Sequence, residues 1–197
     1  MGNSAKKLIL ASTSIYRKAL LERLRIPFEI VSPKVDETPL PGESTLTLAL
    51  RLAKAKAAAV AQDHPDAWVI GSDQVADFLG TAIGKPGNFE RALAQLQLMR
   101  GATVTFHTAL CLMHGHLETT LNVPTEVTFR KLPDDILEEY LLAEEPYDCA
   151  GSAKSEGLGI SLLEAMKSDD PTALIGLPLI ALSGLLRAAG FAIPNNK

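Results

Sequence analysis

Three strings bring together residue types that can hold a polyphosphate and a metal ion: Ser12-Thr13-Ser14-Ile15-Tyr16-Arg17-Lys18, Gly71-Ser72-Asp73-Gln74 and Gly84-Lys85-Pro86. In the first, hydroxyls stand where a strand turns into a helix, with Arg17 in the first helical turn. Free backbone N–H groups and the positive dipole end at such a place suit phosphate. Taken alone, the segment reads as a capped helix with a surface arginine, since capped helices are common. In the second, the apolar run Trp68–Ile70 and Gly71 deliver Asp73 to the carboxyl edge of a sheet. A carboxylate there can activate water or hold a metal, and a turn-forming aspartate is the competing reading. Lys85 falls on the far arm of an expected hairpin, its backbone fixed between Gly84 and Pro86; a simple turn explains the same neighbours.

Two further pairs bear on such a site. Asp36 and Glu37 are adjacent in a proline-flanked loop. They are either solvated or complete a magnesium site with Asp73, since magnesium takes one or two carboxylates, waters and substrate phosphates. Lys54 and Lys56 lie on a predicted helix, where two positions differ by about 200° of rotation. At most one of them faces the site. Other strings carry less. His114-Gly115-His116 reads as a hairpin tip, and Gly157-Leu158-Gly159 is only a fragment of a dinucleotide fingerprint. The chain has no G-x-x-x-x-G-K-[ST] run and no arguable Ser-His-Asp set.

The elements that must position these residues follow from the apolar pattern. Lys7 to Ala11 predicts a buried strand and Tyr16 to Leu24 an amphipathic helix. Pro27 to Val31 predicts a second strand. Leu46, Leu48, Leu50 and Leu52 alternate like a strand, but Ser44 as a cap and the alanine-rich run to Ala61 predict a helix over 44–62. Trp68–Ile70 predicts a short strand, and Val75–Ile83 a hairpin turning near Gly80. Asn88 caps a helix ended by Gly101. Long strands over 102–113 and 116–130 are joined at Gly115. Helices are expected from Pro133 to about Ala143 and from Leu179 to Ala189, with another strand over Gly157–Met166. The alternation followed by a large hairpin predicts a mixed α/β sheet.

At 197 residues, with 47% hydrophobic and 21% charged residues, the chain suits one soluble domain over 1–197. A net charge of −4 argues against a broad nucleic-acid-binding surface. Cys111 and Cys149 read as small buried hydrophobes in a reducing compartment. Ala173–Leu186 is apolar but too short to span a bilayer. Met1–Lys7 precedes no secretory apolar region, and Lys6 breaks the myristoylation pattern hinted at by Met1-Gly2. A cytoplasmic protein with no membrane partner is expected.

Together these strings resemble the Maf family of nucleoside triphosphate pyrophosphatases over nearly the whole chain. The match runs through LILASTS at 8–14, VDETP at 35–39, RLAKAKA at 51–57, IGSDQV at 70–75, GKP at 84–86, CAGSAKSEGLGI at 149–160 and GLPLIAL at 176–182. The resemblance implies an elongated α/β fold of Maf/ITPase-like type: a mixed β-sheet with flanking helices and two lobes around a central cleft, in a protein that commonly dimerises. It implies cleavage between the α and β phosphates of a nucleoside triphosphate, with a divalent cation, magnesium or manganese. By position Asp73 looks like the family's proton acceptor, and Arg17, Glu37, Lys56 and Lys85 match its other polar site residues; Ser12, Arg17, Lys56 and Lys85 are the expected phosphate- or substrate-binding set. Glu37 and Asp73 are the expected metal ligands, and the sequence leaves open whether Asp73 acts as base or as metal ligand. The same resemblance selects Lys56 over Lys54.

The branch is legible in the same way. Members acting on dTTP and UTP tend to show Arg at position 16, Thr at 74 and Gln at 156. Tyr16, Gln74 and Glu156 resemble instead the 7-methyl-GTP pyrophosphatases, which tend to carry Trp at 16 and Pro at 15, where this chain has Tyr16 and Ile15. N7 methylation leaves guanine cationic. An aromatic face attracts such a ring by about 0.5–2 kcal/mol, and a carboxylate such as Glu156 can accept its N–H groups. The alternatives are a dTTP/UTP or other modified-nucleotide pyrophosphatase, and a non-catalytic nucleotide-binding regulator of cell division.

Overall fold

The computed structural model describes residues 6–194, so the reading of Met1-Gly2 lies outside the described residues. The first apolar run forms β1 (Leu8–Ala11), buried along its whole length. It pairs in parallel with β2 (Glu29–Val31) on one side and β3 (Trp68–Phe78) on the other. The connections are α1 (Ile15–Glu22) and α2 (Thr45–Ala61). The remaining strands pair antiparallel: β4 (Thr81–Ile83), β5 (Thr103–His114), β6 (Leu117–Phe129) and β7 (Leu163–Ser168). The sheet order is β2-β1-β3-β5-β6-β7, with β4 on β3. The sheet is mixed, as the alternation followed by a hairpin predicts, and it has seven strands.

The leucine run at 46–52 resolves as helix for a local reason. The Ser44 side chain accepts from the Thr47 N–H, capping α2, and Leu48 and Leu52 fall on its buried face while Leu46 is exposed. The other helices are α3 (Phe89–Met99), capped by Asn88, α4 (Asp134–Glu144) and α5 (Leu179–Ala188).

Strand pleating divides the core. Ile9, Ala11, Val69, Val75, Ala109 and Cys111 pack against α2. Leu8, Leu10, Ile70, Leu110 and Leu112 face the other way, against residues of α1 and α5. A third cluster joins the far end of the sheet to α3 and α4. The cleft opens between these packed regions.

Two expectations are corrected. Trp68–Ile70 is not a short strand ending at Gly71, because β3 continues to Phe78 on the support of β5, paired from Val69 to Asp77. Asp73 therefore lies inside a strand. What ends nearby is β1, whose last pairing with β3 is Ala11 with Gly71, while β4 joins only from Ala76. Among the described residues, that edge of β3 has no strand partner over Ser72–Val75, so the cleft reaches Asp73 through this gap. Second, Gly157–Met166 is not one strand. A 3-10 segment at Leu158–Leu162 precedes β7, which starts at Leu163. Gly159 packs so closely on the Lys154 backbone that a Cβ would lie 2.6 Å from its nitrogen, and this folds the segment back rather than extending it.

Candidate active site

Period-two alternation along β3 sends Asp73 toward α2 and its neighbours Ser72 and Gln74 to the opposite face. On the α2 side, Gly71 sets the distance. A Cβ there would stand 2.1 Å from the Ala53 carbonyl oxygen and 2.7 Å from the Ala57 nitrogen. The glycine lets helix and strand meet backbone to backbone. Lys56, one helical residue before Ala57, then places its ammonium against Asp73 Oδ1 at 2.6 Å and Glu37 Oε1 at 2.7 Å. Lys56 and Asp73 are buried. Lys54, two positions away, points outward and pairs with Glu118.

The other face of β3 is tied to the loop before α5. The Ser72 hydroxyl donates to the Gly176 carbonyl at 3.0 Å. The Gln74 amide nitrogen donates to the Ala173 and Leu174 carbonyls and to Thr108. That amide nitrogen is thus engaged in holding the loop, while the residue also lines the cleft. Arg17 meets the same loop from α1, its Nε donating to the Gly176 carbonyl at 2.9 Å. Ser14 caps α1 by accepting from the Arg17 N–H, and the buried Ser12 accepts from the Ser14 N–H.

These elements enclose one cleft of about 700 Å³. Its lining includes the nine residues expected to hold or select the substrate or metal: Ser12, Tyr16, Arg17, Glu37, Lys56, Asp73, Gln74, Lys85 and Glu156. Asp36, read from the sequence together with Glu37 as completing a magnesium site, does not line the cleft and accepts at Oδ1 from the Thr38 N–H. Sequence reading missed Asp148, and it took Cys149 for a buried apolar residue. Both line the cleft beside Tyr16. Asp148 immediately precedes the CAGSAKSEG string, and that adjacency was the available signal.

The electrostatics are graded along the cleft. Burial alone would raise Glu37, but the Lys56 hydrogen bond and charge, with Lys85 and Arg17 beyond, hold it below the ordinary glutamate value. Burial lowers the Arg17 guanidinium, and Asp73 and Glu37 oppose that effect. At the other end, burial and then the Asp148 charge push the Cys149 thiol up to about 12. The Tyr16 phenol is raised by burial, Cys149 and Asp148, and keeps its proton.

The donor set also suits a divalent cation. Glu37 and Asp73 each give one oxygen to Lys56, leaving a second oxygen on each without a hydrogen-bond partner among the described residues. Among the described residues there is no cluster of three or more acidic, Cys or His ligands. Two carboxylates with water and phosphate oxygens match magnesium better than a closed protein cage.

Residues 7–189 match the Maf-like protein family. The chain belongs to that family. Relatives of this Maf protein include the 7-methyl-GTP pyrophosphatase of Burkholderia thailandensis, 62% identical over 97% of this chain and 91% of the relative. The 7-methyl-GTP pyrophosphatases of Cupriavidus metallidurans and Polaromonas sp. are 61% and 58% identical, over 93% and 96% of this chain and 94% and 88% of the relatives. The Staphylococcus aureus Ham1 protein superposes with a TM-score of 0.45 at 13% identity, covering 64% of this chain and 73% of that one. No helix among the described residues of the Maf chain is long and apolar enough to cross a membrane.

Proposed function

We propose that this Maf protein hydrolyses 7-methyl-GTP to the nucleoside monophosphate and diphosphate in the cytoplasm. The observation that carries the reading is the convergence of Arg17, Glu37, Lys56, Asp73 and Lys85 on one cleft from five separate stretches of chain. Relatives near 60% identity that bear the name 7-methyl-GTP pyrophosphatase supply the substrate class.

In this reading Asp73 takes a proton from the water that attacks the α phosphorus in line. Its Oδ1 is held by Lys56, which fixes the carboxylate while Oδ2 remains to accept the proton. Lys56, Arg17 and Lys85 offset the charge of the phosphate oxygens. Such positioned cations and donors supply most of the acceleration in phosphoryl transfer. Where Asp73 serves as a metal ligand instead of the base, it and Glu37 would hold magnesium or manganese, which would supply further charge neutralisation at the phosphates. Tyr16 and Glu156 face the base.

The test is pyrophosphate release from 7-methyl-GTP, GTP, dTTP and UTP with magnesium present. The expected result is the highest kcat/KM with 7-methyl-GTP and loss of turnover on chelation. Preference for dTTP or UTP would move the protein to the other branch. Tight nucleotide binding without turnover would make it a regulator.

A further inference from the structure

We propose that Asp148 is a specificity-determining residue, whose carboxylate holds the Tyr16 ring at the base end of the cleft and, with Glu156, selects a positively charged base over a neutral one. The inference rests on the nucleotide reading of the cleft and deepens it.

Tyr16 is the second residue of α1, and Asp148 lies 132 positions later, in the segment after α4. The phenol donates to both Asp148 oxygens, at 3.4 and 3.3 Å. The Cys149 Sγ lies 3.9 Å from the same phenol oxygen. The ring is thus held at both ends, by its helix and by its hydroxyl. A ring fixed in place presents its face to a ligand with little ordering cost.

The charges around it are unequal. Asp148 and Glu156 line this end of the cleft, and both act on Cys149. The nearby cation is Lys154, with Nζ 5.9 Å from the Tyr16 ring centre. Its charge is offset by Glu144, 2.7 Å away. Two carboxylates therefore stand at the base end without an ion-pair partner among the described residues, while at the other end Arg17, Lys56 and Lys85 outnumber Glu37 and Asp73, which are both paired with Lys56. The cleft is anionic where the base lies and cationic where the phosphates lie. A nucleotide with a cationic purine and an anionic phosphate chain has the complementary arrangement. Plain guanine shares the shape but lacks the charge.

The test is calorimetric binding of the two monophosphates, 7-methyl-GMP and GMP, to the full-length chain and to Asp148→Asn. The amide removes the charge and keeps one of the two acceptor oxygens for the Tyr16 hydroxyl. The wild type should prefer the methylated nucleotide, and the preference should fall at least threefold in the variant. No preference in the wild type, or a smaller fall in Asp148→Asn, overturns the assignment. Pyrophosphate release by the wild type, measured in parallel, keeps the two questions apart. Binding preference with no hydrolysis of any triphosphate would defeat the enzymatic reading and leave the role of Asp148 standing.

Discussion

Arg17 and Gly176 are 159 residues apart, yet the guanidinium Nε donates to the glycine carbonyl at 2.9 Å. That one bond restricts how the rest of the guanidinium can be turned within the cleft. Ser72, fully buried, donates to the same carbonyl, so β3, α1 and the loop before α5 share a single oxygen. Gly176 itself has φ +122°, a region that side chains with a Cβ avoid.

The first prediction follows from that shared acceptor. Ser72→Ala removes one buried hydrogen bond, at a cost of about 1 kcal/mol. For a chain of this size that lowers Tm by roughly 2–4 °C. The loop also gains freedom, so KM for the triphosphate should rise several-fold. Thermal unfolding and steady-state kinetics on the same preparation check both parts; an unchanged KM would show that the loop does not position Arg17.

Lys56 supports a second prediction. Its ammonium is buried between two carboxylates, so Lys56→Met leaves Asp73 without its counter-charge. Breaking a buried pair costs about 3–5 kcal/mol, and the exposed side of Glu37 places the expected loss near the lower figure. Adding Asp73→Leu should restore part of the stability without restoring turnover. A chemical-denaturation double-mutant cycle measures the coupling, and strict additivity would rule it out.

The pH dependence of stability provides a third. Glu37 is held below its ordinary value in the folded chain. A carboxylate lowered on folding stabilises above its unfolded value, about 4.3, and loses that contribution as pH falls through the folded value. The stability gap between wild type and Glu37→Gln should therefore be full at neutral pH and close as acid is added below about pH 4.3. Urea midpoints across that range read it directly. A gap that stayed constant with acid would mean that Glu37 is not ion-paired in solution.

Gly71 supplies the fourth. A methyl group there must push α2 off β3, because it would overlap the Ala53 carbonyl and the Ala57 nitrogen. Gly71→Ala should cost about 3 kcal/mol or more, at the upper end for overpacking. The displacement also withdraws Lys56 from Asp73, so activity should fall further than stability alone explains. Comparing Tm with kcat for the folded fraction separates the two effects.

Much of this molecule is written locally. Ser44 ahead of an alanine-rich run marks α2, Asn88 marks α3, and the long apolar runs either side of Gly115 mark the β5–β6 hairpin, because capping and periodicity act within a few residues. The resemblance to the Maf family drew on ordered strings and so picked out the residues that line the cleft. The sequence could not show how far β3 runs, since its length depends on pairing with β5, from Val69 with Met113 to Asp77 with Thr105. It could not show that Gly71 serves helix contact rather than strand termination. Nor could it show that Asp148 meets Tyr16 or that Ser72 and Arg17 share one carbonyl. Those relationships join segments remote along the chain, and only the packing of the sheet against its helices brings them within hydrogen-bond reach.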